Sequence, residues 1–329
     1  MSKAATAPQI GDDLGDDIVL PFRTERSGVI GRLVRLGPAI DTILSRHDMP
    51  VPVAQALGEA VALTTMLGAA LKFAGKLIVQ TKTDGVLDFL VVNFEAGGRV
   101  RGYARYSKKR FAELFGAGAA VDQGKLIGTG HLAITIDQGG EMDRYQGIVA
   151  LDGDSLVDAA LTYFRQSEQL PTFLRLAVAR HYMAGEGGRS GTWQWRAGGL
   201  MIQSLATAGG GNPQVQRPEG SDNAELEEER AEDWQRAKIL AATVEDHELL
   251  DPTLSPQRLL YRLFHEEGVR ALPPSPVEAY CQCSREKVEA FLRSFGAEGL
   301  ADMHEPDGGI SVTCEFCATK YRFEPGEIA

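Results

Sequence analysis

Four cysteines constrain this chain more than anything else in it. They are the only ones in 329 residues, and they form two pairs near the C-terminus, Cys281-Gln282-Cys283 and Cys314-Glu315-Phe316-Cys317, with thirty residues between the pairs. In an extended chain residues two apart point to one side, so a C-x-C pair can aim both sulfurs at one ion, while C-x-x-C makes a tight knuckle. Two such pairs complete a tetrahedral all-thiolate site. Four thiolates suit a d¹⁰ ion without redox chemistry of its own, so zinc is the expected cofactor, one ion per chain, with Cys281, Cys283, Cys314 and Cys317 as its ligands. Two disulfides in a secreted module fit poorly, because the long cysteine-free remainder is unlike a small disulfide-dense scaffold.

Charge narrows the partners. The formal net charge is −11, and residues 273 to 329 carry five Lys/Arg against ten Asp/Glu, a balance that repels phosphate. No nucleic-acid partner is expected. The first residues, MSKAATAPQIGDDLGDD, contain no apolar signal region, and the longest uncharged apolar run, Ala60 to Leu71, is too short to cross a bilayer. A cytoplasmic chain without a membrane partner is the expectation.

Periodicity divides the chain into four parts. Residues 1–17 read as a disordered acidic N-terminus. Residues 18–212 read as an α+β domain. It opens with a strand at Val29 to Leu36, a helix begun by Pro38, and a largely buried helix between Val53 and Phe73. A meander follows, Leu77 to Thr81, Val86 to Phe94 and Arg99 to Tyr106, turning at Asp84-Gly85 and Gly97-Gly98. Strands at Leu126 to Ile136 and Arg144 to Leu151 flank Gly139-Gly140. A helix capped by Asp154 or Ser155 comes next, and Leu174 to Ala179 and Gly199 to Leu205 return to the sheet. Hairpins and helices without regular strand-helix alternation predict an antiparallel-rich sheet.

No catalytic constellation emerges, and the chain is not read as an enzyme. Gly128-Thr129-Gly130 precedes a strand instead of joining a strand to a helix, and Gly118 to Lys125 has five residues between its glycines where a phosphate loop has four. The six histidines show no ligand-like pairing; His304 lies between the cysteine pairs, but four cysteines make it redundant. No catalytic and no organic-cofactor residues are assigned.

Residues 213–272 read as a helical linker. Gly209-Gly210-Gly211-Asn212-Pro213 forms a joint, and residues 219 to 250 then carry eleven acids against three bases. The apolar stripe on that helix, Leu226, Trp234, Leu240, Ala241 and Val244, is thin, so docking holds it and it can detach. Ser255 and Pro256 start a second helix with Leu259, Leu260, Leu263 and Phe264 on one side. Pro273-Pro274-Ser275-Pro276 reads as a stiff spacer to a zinc domain over 273–329. That domain holds a Ser284-capped helix and strands at Ile310 to Thr313 and Lys320 to Phe323. A module of about 57 residues has little core, so metal binding, roughly 10–16 kcal/mol for structural zinc, supplies most of its stability. Oxidation would join near neighbours, Cys281 to Cys283 and Cys314 to Cys317, release the metal, unfold the module and undock the linker. A purely structural zinc site is the alternative.

The cysteine motifs, with Gly309-Ile-Ser-Val-Thr-Cys314 and Tyr321-Arg-Phe323, resemble the zinc centre of the bacterial redox-regulated heat-shock chaperones, the 33 kDa chaperonin family. Arg144-Tyr-Gln-Gly-Ile-Val, Leu151-Asp-Gly-Asp154, Tyr163-Phe, Ser167-Glu-Gln-Leu-Pro171, Leu71-Lys-Phe73 and Arg262-Leu-Phe-His-Glu-Glu267 extend the resemblance over almost the whole chain. It implies a holdase, monomeric and inactive when reduced and zinc-bound. Once its cysteines are oxidised and the linker unfolds, it becomes a homodimer that binds unfolded client proteins. The extended acidic N-terminus and the extra residues around Gly185 to Ser190 and Gly209 to Gly220 depart from the family pattern. A thiol-disulfide oxidoreductase would need its C-x-x-C at a helix start, whereas Cys314 to Cys317 follows a strand.

Overall fold

A computed structural model describes residues 15–71, 75–116, 121–139, 144–153, 155–184, 190–204 and 223–328. The elements, in order, are β1 (Ile18–Thr24), β2 (Val29–Leu36), α1 (Pro38–Leu44), α2 (Val51–Gly68), β3 (Lys76–Thr83), β4 (Leu87–Glu95) and β5 (Arg99–Tyr106). Next are α3 (Lys108–Phe115), α4 (Gln123–Ile127), β6 (Thr129–Asp137), β7 (Tyr145–Asp152), α5 (Leu156–Tyr163), β8 (Thr172–Met183) and β9 (Thr192–Ser204). The remainder are α6 (Asn223–Ala242), α7 (Asp246–Leu250), α8 (Pro256–Phe264), β10 (Val269–Ala271), β11 (Ser275–Pro276), β12 (Glu278–Ala279), α9 (Arg285–Arg293), α10 (Gly296–Leu300), β13 (Ile310–Thr313) and β14 (Lys320–Phe323). The α+β class expected from the sequence is what forms.

Two six-stranded sheets share one helix. The first runs β10-β1-β2-β9-β8, with β11 also on β1, and the second runs β12-β5-β4-β3-β6-β7. Helix α2 packs on β2, β8 and β9 of the first sheet and on β3, β4 and β5 of the second. By length and composition it could cross a membrane, yet 72% of that window is buried inside the protein, so its apolarity serves the core. Small residues let the backbones close in: a Cβ on Gly58 would sit 2.7 Å from Val178 Cγ1.

The linker covers the other face of the first sheet. Along β2, Val34 and Leu36 join the core around α2, while Leu33 lies in a second core with Leu20, Phe22, Leu200 and Ile202. Strand alternation therefore makes this sheet apolar on both sides. Ala237 and Ala241 of α6, Val244 in the turn after it, Leu249 of α7, and Leu259, Leu263 and Phe264 of α8 complete that second core. Trp234 and Leu240 of the thin stripe are only partly buried, and the Leu226 side chain lies outside the described residues. Polar pins tie the linker to itself and to the sheet. Arg236 on α6 donates to Glu267 (2.7 Å), whose side chain is 1% exposed, and to Asp233 (2.5 Å). Arg175 on β8 pairs with Asp246 (2.9 Å).

Several expectations need correction. Leu126 and Ile127 belong to α4, which Asp122 caps, and β6 starts only at Thr129 after Gly128 turns with φ 74°. The proline segment is no free spacer: β11 pairs with β1, and β12 with β5. Order begins ahead of Val19, because the Asp17 carboxylate accepts the N–H groups of Gly37 (2.9 Å) and Ala39 (3.0 Å) at the start of α1, and Asp16 pairs with Arg196. The rest of the acidic N-terminus lies outside the described residues, as do Lys72 and Phe73, Gly140, Asp154, residues 185–189, and 205–222 with the glycine joint and the boundary at 212.

Two tests address linker docking. A Cβ on Gly198 would lie 2.5 Å from the Leu249 carbonyl oxygen, so Gly198→Val is expected to push α7 off the sheet, cost about 1–3 kcal/mol and speed amide exchange across residues 246–264. Burial first, and then Asp246, push the Glu59 carboxyl on α2 up to about 7 from its ordinary 4.5. An acid raised in this way stabilises the fold fully below 4.5 and loses that contribution as pH rises through about 7. The Tm of the reduced chain should therefore fall over that window, and less steeply in Glu59→Gln.

Candidate metal centre

The strand that leads into the first cysteine pair is sewn to the edge of the second sheet. Strand β12 lies parallel to β5, Glu278 N–H donates to Gly98 O (2.9 Å), and Tyr280 N–H donates to Val100 O (3.0 Å). Cys281 comes next in the chain. Ser284 then caps α9 by accepting from Lys287 N–H (3.3 Å), as the sequence predicts. The second pair forms the turn of the β13–β14 hairpin. Cys314 N–H donates to Thr319 O (2.9 Å), Ala318 N–H donates to Cys314 O (2.8 Å), and Ala318 takes φ 55° to close the knuckle. Leu292, Leu300, Ile310, Phe323 and Ile328 make up the module's small core.

These elements bring all four predicted ligands together. Their sulfurs lie within 4.8 Å of one another, and among the described residues no other His, Cys, Asp or Glu cluster could hold a metal. The pairs Cys281–Cys283, Cys281–Cys314 and Cys283–Cys317 stand 3.5, 3.7 and 3.3 Å apart. Bonds of about 2.3 Å from a tetrahedral ion require sulfurs about 3.8 Å apart, whereas a disulfide needs about 2.05 Å. All four are free thiols at separations that fit one metal ion. His304 does not join them; its Nδ1 lies 2.9 Å from Gly308 O.

The four thiols differ. Burial pushes Cys283 up to about 12, although Tyr321 OH, 3.1 Å from its sulfur, pulls the other way. Burial also raises Cys314. At Cys317 burial opposes ionisation, but the Thr319 hydroxyl (3.2 Å), the Thr319 backbone and the neighbouring thiols outweigh it and bring the thiol down to about 6. Cys317 is thus the thiol drawn toward ionisation, and Cys283 must release its proton to solvent for its sulfur to ligate an ion.

All three residues enclosed by the cysteine pairs touch the N-terminal domain. Gln282 Nε2 donates to Glu95, which also pairs with Arg99 (2.9 Å) and Lys76 (3.5 Å). Glu315 bonds the Tyr103 hydroxyl and raises its pKa, an effect second to burial. The Phe316 ring sits 4.2 Å below the Arg101 guanidinium and 6.3 Å from Tyr103, and its carbonyl meets His47 Nε2 (3.3 Å). The cysteine spacing marked the sulfurs but gave no signal for Glu95, Arg101, Tyr103 or His47, which belong to β4, β5 and the loop after α1. His47, read as an ordinary histidine, lies at this interface.

The model of the Hsp33 protein family matches residues 17–324. A 33 kDa chaperonin of Caulobacter vibrioides is 42% identical over 318 residues, covering 96% of this chain and 98% of that protein. One from Pseudomonas aeruginosa is 36% identical, covering 94% and 92%. The chain belongs to the Hsp33 family. A crystal structure of the 33 kDa chaperonin from Thermotoga maritima superposes with a TM-score of 0.67 over 95% of this chain and 96% of that one, at 19% identity, and so shares the fold. Relatives of this Hsp33 chain carry the name of a chaperone, which accords with a binding role over catalysis.

The interface can be tested apart from the sulfurs. Phe316→Ala removes the ring under Arg101 but no ligand, so metal content should stay unchanged while the module's hold on the sheet weakens by about 1–2 kcal/mol. Faster amide exchange at residues 278–280 with full metal occupancy is the expected result.

Proposed function

We propose that this chain is a redox-gated holdase whose four-cysteine centre binds zinc, one ion per chain, when reduced. One observation carries the reading: the residues between the metal-binding thiols are the same ones that dock the module on the sheet. Zinc held by Cys281, Cys283, Cys314 and Cys317 would add a cross-link to a module whose own core is only a few side chains. The acidic surface and four-thiol site do not suit a phosphate reader, and a cytoplasmic setting keeps the thiols reduced.

A thiolate of the cluster attacks a peroxide oxygen and, with a proton, becomes a sulfenic acid as water leaves; a neighbouring thiol then attacks that sulfur, forming S–S and releasing a second water, and a second peroxide repeats the step on the remaining pair. In the folded cluster the Cys283 sulfur stands 3.3 Å from that of Cys317. The pairing Cys281–Cys283 and Cys314–Cys317 therefore belongs to the unfolded module, where only sulfurs two or three residues apart stay close. With its donors consumed, the domain over 273–329 loses its fold. Residues 213–272 then lose the return strands β10 to β12 that fasten their C-terminal end, and the apolar face of the domain over 18–212 opens to unfolded clients. An opened apolar sheet face also accounts for a homodimer in the oxidised state and a monomer in the reduced one.

Zinc release, free-thiol count and aggregation of a thermally unfolding protein, measured before and after peroxide treatment at elevated temperature, test this together. Loss of about one zinc and four thiols per chain, with aggregation suppressed only afterwards, is expected. Retained zinc, or no effect on aggregation in either state, makes the centre structural. Turnover of a glutathione disulfide would instead mark an oxidoreductase.

A further inference from the structure

The face of the first sheet that the linker covers is not purely apolar. Arg35 on β2 and Arg196 on β9 are 2% and 4% exposed, and both lie on the linker side, where Arg35 stands opposite Gly198. Their guanidinium groups reach main-chain carbonyls of the linker. Arg35 donates to Leu254 O and to Glu248 O (3.3 Å), and Arg196 donates to Leu250 O (2.6 Å). Two of these carbonyls belong to the last turn of α7, and Leu254 precedes the Ser255 cap of α8. A helix terminus leaves such acceptors without an intrahelical partner, and its partial negative charge favours a cation. Asp16 also holds Arg196, at 2.5 Å.

The chemistry is unusual for a lid. Arginine forks usually bind carboxylates, and Arg196 does hold Asp16, but both buried forks also bind backbone oxygens of the kind that every polypeptide carries. Apolar contacts supply affinity without direction, whereas a charge-assisted donor at a fixed place reads main chain regardless of sequence. We propose that Arg35 and Arg196 are client-binding residues that take backbone carbonyls of extended, non-native chains, and that the linker occupies the same donors when docked. The inference rests on the holdase reading and names the ligand chemistry of its opened face. It explains why two cations are kept in an apolar face: once the linker leaves, a client that brings only apolar side chains would desolvate them without an acceptor.

Phenylglyoxal modification of arginines, read by mass spectrometry on the full chain, tests the proposal with reduced, carboxamidomethylated α-lactalbumin as a permanently unfolded client. Arg35 and Arg196 should be unreactive in the reduced zinc form, reactive after oxidation, and protected again when client binds, while exposed Arg144 reacts throughout. Equal modification with and without bound client overturns the proposal. An unstructured peptide without Asp or Glu should protect both residues; protection only by its acidic counterpart assigns the pair to carboxylates and overturns the carbonyl reading. In a second arm, Arg35→Met with Arg196→Met should ease linker release yet bind client on the order of tenfold more weakly when oxidised. Arg236→Ala, which loosens the linker without touching the sheet face, should keep full affinity. Equal affinity in the double variant overturns the inference. If the oxidised parent chain binds no client, the holdase reading falls with it; binding that leaves the arginines reactive overturns this inference alone.

Discussion

The first sheet buries both of its faces, and the rest of the molecule is arranged around that demand. Helix α2 covers one face as permanent core, shared with the second sheet. The other face is covered by α6, α7 and α8; Leu259, Leu263 and Phe264 anchor α8 firmly, whereas α6 is acidic, largely exposed and, among its described side chains, buries only Ala237 and Ala241. That cover is joined to the sheet by side-chain packing and a few polar contacts, and only its C-terminal end pairs with the strands.

What keeps the lid closed lies further along the chain. After α8 the backbone returns as β10 and β11 on β1, crosses to the second sheet as β12, and enters the cysteine module. These pairings are two or three residues long, too short to hold alone. Gln282, Glu315 and Phe316 add side-chain anchors on Glu95, Tyr103 and Arg101, and each anchor is placed by the fold of the cysteine loops. The sulfur cluster therefore governs a docking surface of three residues, and through it the C-terminal end of the linker.

Much of this was legible in one dimension. The spacing of Cys281, Cys283, Cys314 and Cys317 predicts a single cluster, and the sulfurs converge. Caps and periodicity place β5, β13, β14 and the starts of α8 and α9 within a residue or so, because Ser255, Pro256 and Ser284 are local devices that act on adjacent backbone. Where local devices were misread, the boundary moved: Leu126 looked like strand because it is apolar and precedes one, but Asp122 caps a turn of helix there. Arg35 and Arg196 carried no signal. A charged residue in an apolar strand reads as solvent-facing until something is known to cover it.

Local interactions within a few residues were enough to mark which side chains could bind a metal, most of the longer helices and strands, and which helix is thinly anchored. Only the tertiary structure decided that the proline segment joins both sheets, that the residues between the cysteines grip the N-terminal domain, and that two buried arginines hold the linker by its carbonyls. Those contacts join residues as far apart as 187 and 219 positions, and nothing local specifies a partner at that separation. Burial and register, set by the whole fold, do so.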